Sequence, residues 1–268
     1  MNCNGMKIAV LIAATAGACA PLAAADTLWA AGVCREQGWY DFNKARDGAQ
    51  SEMCWAICAA NLIAWWQNAQ PEQNLPSGVP MGDAVWDIYK QTFTNVGSDP
   101  DQGIRWWYSG KYDPMFAQEV PCAAITTDAT GSYYAARAGQ GDEFFHKLIY
   151  RGRGNQVNAG TVTRALYDGF SRGDAFWIGV SFYRRNGKLH THSLTVWGVD
   201  VEKSADAEAA PKVVALYMTD SDDGNRCLHR IPLKVEDGML KFDCPQHPLY
   251  GRIGDITITN YTGLYVKE

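Results

Sequence analysis

The pattern of apolar and polar positions divides the chain into a helical first half and a strand-rich second half. Between residues 51 and 67, apolar side chains recur at the three- and four-residue spacing of one helix face, and Cys54 and Cys58 belong to this series. Ser51 is expected to cap this helix, with Glu52 in its first turn. Further helices are predicted at 83–93, 141–150 and 161–170.

Beyond residue 172 the segments are rich in β-branched and aromatic residues, and turn pairs such as Asn186-Gly187 and Asp237-Gly238 separate them. The charged segment 202–211 is expected to be a hairpin tip, and residues 26–51 an extended approach to the first helix. Helices followed by antiparallel strands are typical of an α+β fold. Strands are predicted at 175–183, 189–201, 213–219, 228–235, 239–242 and 253–266.

The N-terminus has the pattern of an export signal. Lys7 precedes a short apolar run, and Ala23-Ala24-Ala25 offers a small-residue cleavage site. Residues 1–25 are therefore predicted to be a signal peptide, and the protein is expected in a periplasm or outside the cell. A lipid anchor at Cys19 is disfavoured, because Ala16 occupies the place of the usual large aliphatic residue. Residues 26–268 are expected to form one domain, with a helical half at about 26–172 and a β half at about 173–268.

Composition and charge restrict the kinds of molecule that the protein is expected to bind. The net charge is −5 and no basic cluster occurs, so a nucleic-acid partner is not expected. No segment reaches the length of a membrane span. The oligomeric state cannot be deduced from the sequence.

Removal of residues 1–25 leaves six of the eight cysteines. Exported proteins meet oxidising conditions, so disulfide pairing is expected. Cys227 and Cys244 flank a predicted hairpin and form the first candidate pair. The partner choice for the second bridge stays open among Cys34, Cys58 and Cys122.

Three residues form a candidate catalytic set. Cys54 lies in the first turn of the predicted helix, where unpaired N–H groups and the helix dipole favour a thiolate and an oxyanion site. His192 follows 138 positions later on a predicted strand, within the separation of about 130–150 residues found in papain-type thiol proteases. Asp220 ends the next predicted strand, so antiparallel pairing would bring its carboxylate to the imidazole. Thiol proteolysis needs this combination of nucleophile, general base and orienting group.

Each member of the set also has an ordinary explanation. Cys54, with Cys58 one turn later, is typical of a core thiol or a disulfide partner, and a strand histidine is commonly structural. Asp220, Asp222 and Asp223 favour a turn or a weak calcium loop, but the spacing and terminal Glu of an EF-hand are missing. We therefore predict no metal ligands and no cofactor. The conjunction of the three residues carries the protease hypothesis.

Three motifs follow one another along the chain. The second runs from His192 to Asp200, and the third is Thr219-Asp220-Ser221-Asp222. The first consists, in order, of Gly38-Trp39-Tyr40-Asp41, Lys44, Cys54, Asn61 and Trp65-Trp66. In order and internal spacing these motifs resemble the immunoglobulin-degrading cysteine endopeptidases of the Mac/IdeS family, whose strand His-x-x-x-x-Trp-Gly-x-Asp corresponds to the second. The matching segments cover less than half of the chain, roughly 37–66 and 175–223.

The resemblance implies a papain-like fold, in which an N-terminal helical part carries the nucleophile at a helix N-terminus and packs on a C-terminal antiparallel sheet. It implies Cys54 as nucleophile, His192 as base and Asp220 as the residue that holds the histidine ring. Lys44 would donate to the oxyanion, and Asp222 would be a supporting partner near Lys44 or the histidine. Trp65 and Trp66 are expected to serve packing. The implied substrate is a protein, namely a host immunoglobulin.

Several features differ from the family pattern, and two other classes of function stay open. Bulky Trp55 follows the nucleophile, and the signal peptide, Cys58 and a Cys227–Cys244 bridge are not associated with the best-known members. An amidase or acyl transferase would use the same acyl-enzyme and differ in the acceptor. A non-enzymatic secreted binding module would use its cysteines structurally.

Overall fold

The computed structural model describes residues 25–45, 48–113, 123–128, 130–134, 141–184, 186–202, 211–248 and 250–266. The predicted signal peptide up to residue 24, Cys19, Cys122 and most of the predicted hairpin tip lie outside these residues.

The described residues contain five α-helices, most of them in the first half. Short 3₁₀ turns occur at Glu72–Asn74, Gly154–Gln156 and Tyr250–Arg252. The helices are α1 (Cys54–Ala69), α2 (Asp83–Thr92), α3 (Pro100–Ser109), α4 (Gly141–Leu148) and α5 (Ala159–Arg172).

Eight strands of the described residues form one antiparallel sheet, and two of them lie before residue 172. The strands are β1 (Asp26–Trp29), β2 (Ile149–Arg153), β3 (Ala175–Tyr183), β4 (Leu189–Glu202), β5 (Lys212–Thr219), β6 (His229–Glu236), β7 (Met239–Phe242) and β8 (Thr257–Leu264).

The sheet closes on itself. Six strands follow one another in the order β4-β3-β8-β7-β6-β5, and β5 pairs back to β4. The pairing of β5 with β4 is extensive and aligns Thr195 with Thr219, whereas β7 and β8 share one register pair, Lys241 with Thr257. β1 extends the sheet beside β4, and β2 pairs with β8. The result is a closed six-stranded antiparallel barrel with two added strands.

The predicted fold class is therefore wrong. We expected a papain-like arrangement of a helical N-terminal part on a C-terminal sheet, with the boundary near residue 172. β1 and β2 lie before that boundary and belong to the sheet, which is a closed barrel rather than an open layer. The cause of the error is that strand alternation predicts which residues form strands, but not that the last strand, β8, pairs back to β3 and so closes the sheet.

Helix α1 is the central element of the core. Its residues Trp55 to Gln67 are buried on every side, between the strands and the helices α2 and α3. A helix that is apolar all round is typical of such an interior position. The predicted cap is wrong, because the helix begins at Cys54, and Met53 precedes it without a side-chain hydrogen bond to the first turn.

Two local signals were misread in the middle of the chain. Asp99-Pro100-Asp101, a sequence typical of a turn, is the start of α3, where the Asp99 carboxylate accepts a hydrogen bond from the Asp101 N–H at 2.8 Å. Proline at the first helical position supports this start. The predicted helix 141–150 ends at Leu148, and the chain continues directly into β2.

Within the described part of the chain, no helix combines the length and the apolar character needed to cross a membrane.

Candidate active site

The nucleophile candidate occupies the first residue of an uncapped helix. Cys54 is partly exposed. In this first turn, the Ile57 N–H donates a backbone hydrogen bond to the Met53 carbonyl at 3.1 Å. The N–H groups before Ile57 have no intrahelical acceptor, because every helix leaves its first donors unpaired. No side chain caps them in α1. These donors and the positive end of the helix dipole therefore surround the thiol.

His192 and Asp220 meet because β4 and β5 are antiparallel neighbours. The Nε2 atom of His192 lies 2.7 Å from Oδ1 of Asp220, and the His192 ring also makes a side-chain hydrogen bond with the Cys54 thiol. Since Nε2 is engaged by the carboxylate, Nδ1 is the ring nitrogen left to face the sulfur. The three side chains form one continuous chain from thiol to imidazole to carboxylate.

Asp220 is held by several donors in a buried position. Its side chain is 2% exposed. Oδ1 accepts the Asp222 N–H at 2.9 Å, and Oδ2 accepts a short hydrogen bond from the Tyr250 hydroxyl. A buried carboxylate with this many donors stays ionised and fixed in orientation. It can therefore hold the His192 ring in the tautomer that presents Nδ1 to Cys54.

The electrostatics of the trio favour an ion pair between sulfur and imidazole. Burial raises the pKa of the Cys54 thiol, but His192, the charge of Lys44 and the Ser193 N–H outweigh it, and the pKa lies below its ordinary value. Burial lowers the pKa of His192, but Asp220 and Cys54 raise it well above its ordinary value. Burial also raises the pKa of Asp220, yet His192 and Tyr250 hold it below the usual range. The three shifts together favour thiolate, imidazolium and carboxylate as the charge states.

Lys44 brings a cation to the same site. Its ammonium group donates to the Ser51 carbonyl at 2.8 Å and pairs with the Asp222 carboxylate at 2.5 Å. Its backbone N–H donates to the Ser221 carbonyl at 3.1 Å, which ties this segment to the loop after β5. An ammonium group has three donors, so these contacts use two of them. The Asp222 carboxylate thus holds the Lys44 ammonium group in place, and the positive charge of Lys44 lowers the pKa of the Cys54 thiol.

The remaining residues of the first motif position the segment that carries Lys44. Gly38 has a φ of +89°, and a Cβ there would lie 2.2 Å from the Gly32 carbonyl oxygen, so only glycine fits. Asn61 on α1 accepts the Phe42 N–H at 3.0 Å and donates to the Thr195 hydroxyl at 3.1 Å. Trp65 and Trp66 are each 1% exposed, as expected for packing residues.

The trio lines an open cleft of about 610 Å³. Its lining combines Lys44, Cys54 and Asp220 with apolar side chains of β3 and of the segment before β8, and with further polar residues such as His190. A second depression of about 350 Å³, next to the start of α3, shares His192 with the cleft. The imidazole therefore belongs to the lining of both depressions.

A second Cys-His-Asp set exists, but its thiol is unsuited to nucleophilic attack. The Cys227 thiol donates to Oδ2 of Asp223 at 3.2 Å and lies 3.2 Å from Nε2 of His229. Burial and the Asp223 carboxylate raise the pKa of Cys227 to about 12. This thiol stays protonated at neutral pH, and its pKa is shifted in the direction opposite to that of Cys54.

The predicted Cys227–Cys244 disulfide is wrong, because both are free thiols. The Cys227 sulfur is instead engaged by Asp223 and His229. Cys34 and Cys58 are free thiols as well, and the third candidate, Cys122, lies outside the described residues. Cys58 is buried, and its burial raises the pKa of its thiol well above the ordinary value.

Sequence reasoning missed two groups of the site. Tyr250 lies in a polar, proline-containing stretch without periodicity, and nothing in the sequence connects it to Asp220. The Ser193 N–H belongs to the backbone of β4, so its contact with Cys54 depends on strand position and not on residue type.

The chain matches no model of a known protein family, and no curated protein matches its sequence.

Proposed function

We propose that the protein is an exported cysteine endopeptidase of the Mac/IdeS type, with Cys54 as nucleophile, His192 as general base and acid, and Asp220 as the orienting carboxylate. One observation carries the proposal. A thiol at an uncapped helix N-terminus is joined through His192 to a buried carboxylate, and this chain opens into a cleft.

The first half-reaction forms a thioester. The Cys54 thiolate attacks the carbonyl carbon of a peptide bond, a C–S bond forms, and the carbonyl π electrons move to oxygen. The imidazolium of His192 then gives its proton to the amide nitrogen as the C–N bond breaks and the amine leaves. Asp220 stays ionised and holds the ring throughout.

Negative charge on the carbonyl oxygen is stabilised by donors already in place. The Cys54 N–H belongs to the uncapped first turn of α1, and Lys44 has a third ammonium donor on the same cleft wall. Preorganised donors of this kind contribute about 3–4 kcal/mol each to transition-state stabilisation. Lys44 is therefore proposed as an oxyanion donor, with Asp222 holding it in place.

The second half-reaction consumes water. Neutral His192 takes a proton from a water molecule whose oxygen attacks the thioester carbon. Collapse of the tetrahedral intermediate breaks the C–S bond, releases the carboxylic acid product, and returns the Cys54 thiolate beside a protonated imidazole. No metal or redox cofactor takes part in these steps.

The shape of the site supports a polypeptide substrate. The cleft and the adjoining depression both include His192 in their lining, so a polypeptide has room to extend beyond the scissile bond. The resemblance of the three motifs supports an immunoglobulin as that polypeptide. Export is supported by the N-terminal pattern, and N-terminal sequencing of the mature protein is expected to begin at Asp26.

The test is cleavage of purified immunoglobulins and a panel of other proteins, with sequencing of the fragments. Cys54→Ala is expected to abolish cleavage, whereas Cys34→Ser, a matched change at a partly exposed thiol outside the cleft, is expected to retain it. Wild-type activity in Cys54→Ala contradicts the proposal. Mass spectrometry with and without an added amine separates hydrolysis from acyl transfer, since a transferase attaches the amine to the new carboxyl end.

A further inference from the structure

A second cluster of reactive side chains lies at the junction between the loop after β5 and the start of β6. Oδ2 of Asp223 is 2.6 Å from Nε2 of His229 and 3.2 Å from the Cys227 sulfur. The sulfur and Nε2 are themselves 3.2 Å apart. Three atoms of different chemistry therefore converge on one point, within a chain segment of seven residues.

The hydrogen bonds around Asp223, Cys227 and His229 indicate which atoms of the cluster carry protons. The Tyr250 N–H donates to Nδ1 of His247 at 3.3 Å, so the His247 proton lies on Nε2, which is 3.2 Å from Nδ1 of His229. That nitrogen is then an acceptor, and the His229 proton lies on Nε2, directed at Asp223. The thiol proton of Cys227 is directed at the same carboxylate oxygen. Two protons thus occupy the space between the three atoms.

The three atoms have the types and the spacing of a transition-metal site. Thiolate sulfur, imidazole nitrogen and carboxylate oxygen all bind Zn²⁺, at about 2.0–2.3 Å. At a tetrahedral ion such ligands lie roughly 3.3–3.8 Å from one another, so shifts of about 0.1 to 1 Å would place an ion where the protons are now. The ligands are partly exposed, which gives an ion a path of entry and leaves a fourth position to water.

The surroundings are suited to a cation. Oδ2 of Asp41 accepts the Cys227 N–H at 2.9 Å. Its other oxygen, Oδ1, is buried and has no hydrogen-bond partner among the described residues, although Asp41 is only 6% exposed. An unpaired buried carboxylate oxygen is costly unless positive charge lies nearby. Burial raises the pKa of Asp41 to about 8, so a cation bound beside it would favour the ionised form of this carboxyl.

We propose that Asp223, Cys227 and His229 form a binding site for one Zn²⁺ ion, separate from the Cys54 centre. Binding removes the thiol proton to solvent and moves the His229 proton to Nδ1. His247 accepts that proton's hydrogen bond at Nε2 once its own proton has moved to Nδ1, which gives up the hydrogen bond from the Tyr250 N–H. A second side chain that orients a metal-bound histidine in this way is a common feature of zinc sites. The proposal does not depend on the protease function.

The test uses Cys54→Ala protein, so that metal binding to the Cys54–His192 pair does not contribute, and Co²⁺ as the spectroscopic probe. One equivalent of Co²⁺ is expected to produce a thiolate-to-cobalt charge-transfer band, which Zn²⁺ then displaces. The band should be lost with Cys227→Ser or His229→Ala added. It should be retained with Cys244→Ser added, the matched control at a neighbouring thiol.

A second measurement uses the unsubstituted chain, so its result does not depend on whether the variants fold. Zn²⁺ is expected to slow alkylation of Cys227 at least ten-fold, measured by peptide mass spectrometry, and to leave the rate at Cys34 unchanged. The proposal is overturned by a missing band, by a band that survives Cys227→Ser, by equal alkylation rates with and without Zn²⁺, or by isolation of the protein with a Cys227–Cys244 disulfide.

Discussion

At the residue scale, Asp220 determines the charge state of His192. Burial alone would lower the pKa of the imidazole, and the carboxylate 2.7 Å away reverses the direction. The raised value means that the imidazolium partner of the thiolate persists below that pKa and is lost as the pH rises through it. The upper limb of the pH–activity profile therefore reports on Asp220.

Asp220→Asn is expected to lower kcat/KM by at least about 100-fold and to move the upper limb to lower pH, because the His192 pKa falls without the carboxylate. The measurement is a pH profile of peptide cleavage. Asp168→Asn, a change on the exposed face of α5, is the control and should leave the profile unaltered. An unchanged upper limb in Asp220→Asn would show that the carboxylate does not act on the histidine.

Tyr250 is a positioning residue, since it touches Asp220 and not the reacting atoms. Burial and the Asp220 charge raise the pKa of Tyr250 well above its ordinary value, so the hydroxyl remains a donor at working pH. Tyr250→Phe keeps the ring and removes this donor. We expect kcat to fall about ten-fold, equivalent to about 1.4 kcal/mol, with KM unchanged. Steady-state kinetics provide the measurement, with Tyr167→Phe on α5 as the control. An unchanged kcat in Tyr250→Phe would contradict the positioning role of Tyr250.

At the element scale, the segment between β1 and α1 positions Lys44 without regular secondary structure. Its geometry depends on the positive φ of Gly38, on the Asn61 side chain and on the Lys44 contact with Ser221. The sequence shows these residues only as members of a motif. Their roles depend on contacts with α1 and with the loop after β5, which are distant along the chain.

Gly38→Ala is expected to lower the free energy of unfolding by about 2 kcal/mol or more, because a Cβ in the left-handed region is strained and would overlap the Gly32 carbonyl. Gly97→Ala is the matched control, since its Cβ would meet no atom within 4 Å. Urea titration of both variants provides the measurement. Equal midpoints would mean that the segment tolerates a side chain at Gly38.

Strand positions in the second half were predictable, and so was the antiparallel pairing of β4 with β5 that places Asp220 beside His192. Alternation and turn pairs located β3 and β7 at their observed bounds. β1 and β2 were missed because runs of four or five residues carry too little period-2 signal. α3 was missed because its proline is typical both of a turn and of a helix start. Among the side chains of the site, those within the three motifs were named from the sequence, whereas Tyr250 lies at a short 3₁₀ turn outside the motifs.

At the scale of the whole molecule, barrel closure and the central helix bring the trio together. Cys54 lies on α1, His192 on β4, and Asp220 follows β5, the neighbour of β4 in the barrel. The pairing of β8 with β3 completes the barrel, and it could not be read from the sequence because pairing between strands distant along the chain leaves no local pattern. The low thiol pKa of Cys54 is accordingly a property of the folded chain and not of its local sequence.

The most direct test of this account is the pH dependence of alkylation at Cys54, measured by peptide mass spectrometry on the folded protein and in denaturant. In the folded protein we expect rapid labelling that persists well below the ordinary thiol pKa, together with loss of proteolysis in proportion to labelling. In denaturant the rate should follow an ordinary thiol, with a pKa of about 8.5. Identical profiles in the two states, or full activity after complete labelling, would contradict the assignment of Cys54 as the activated nucleophile.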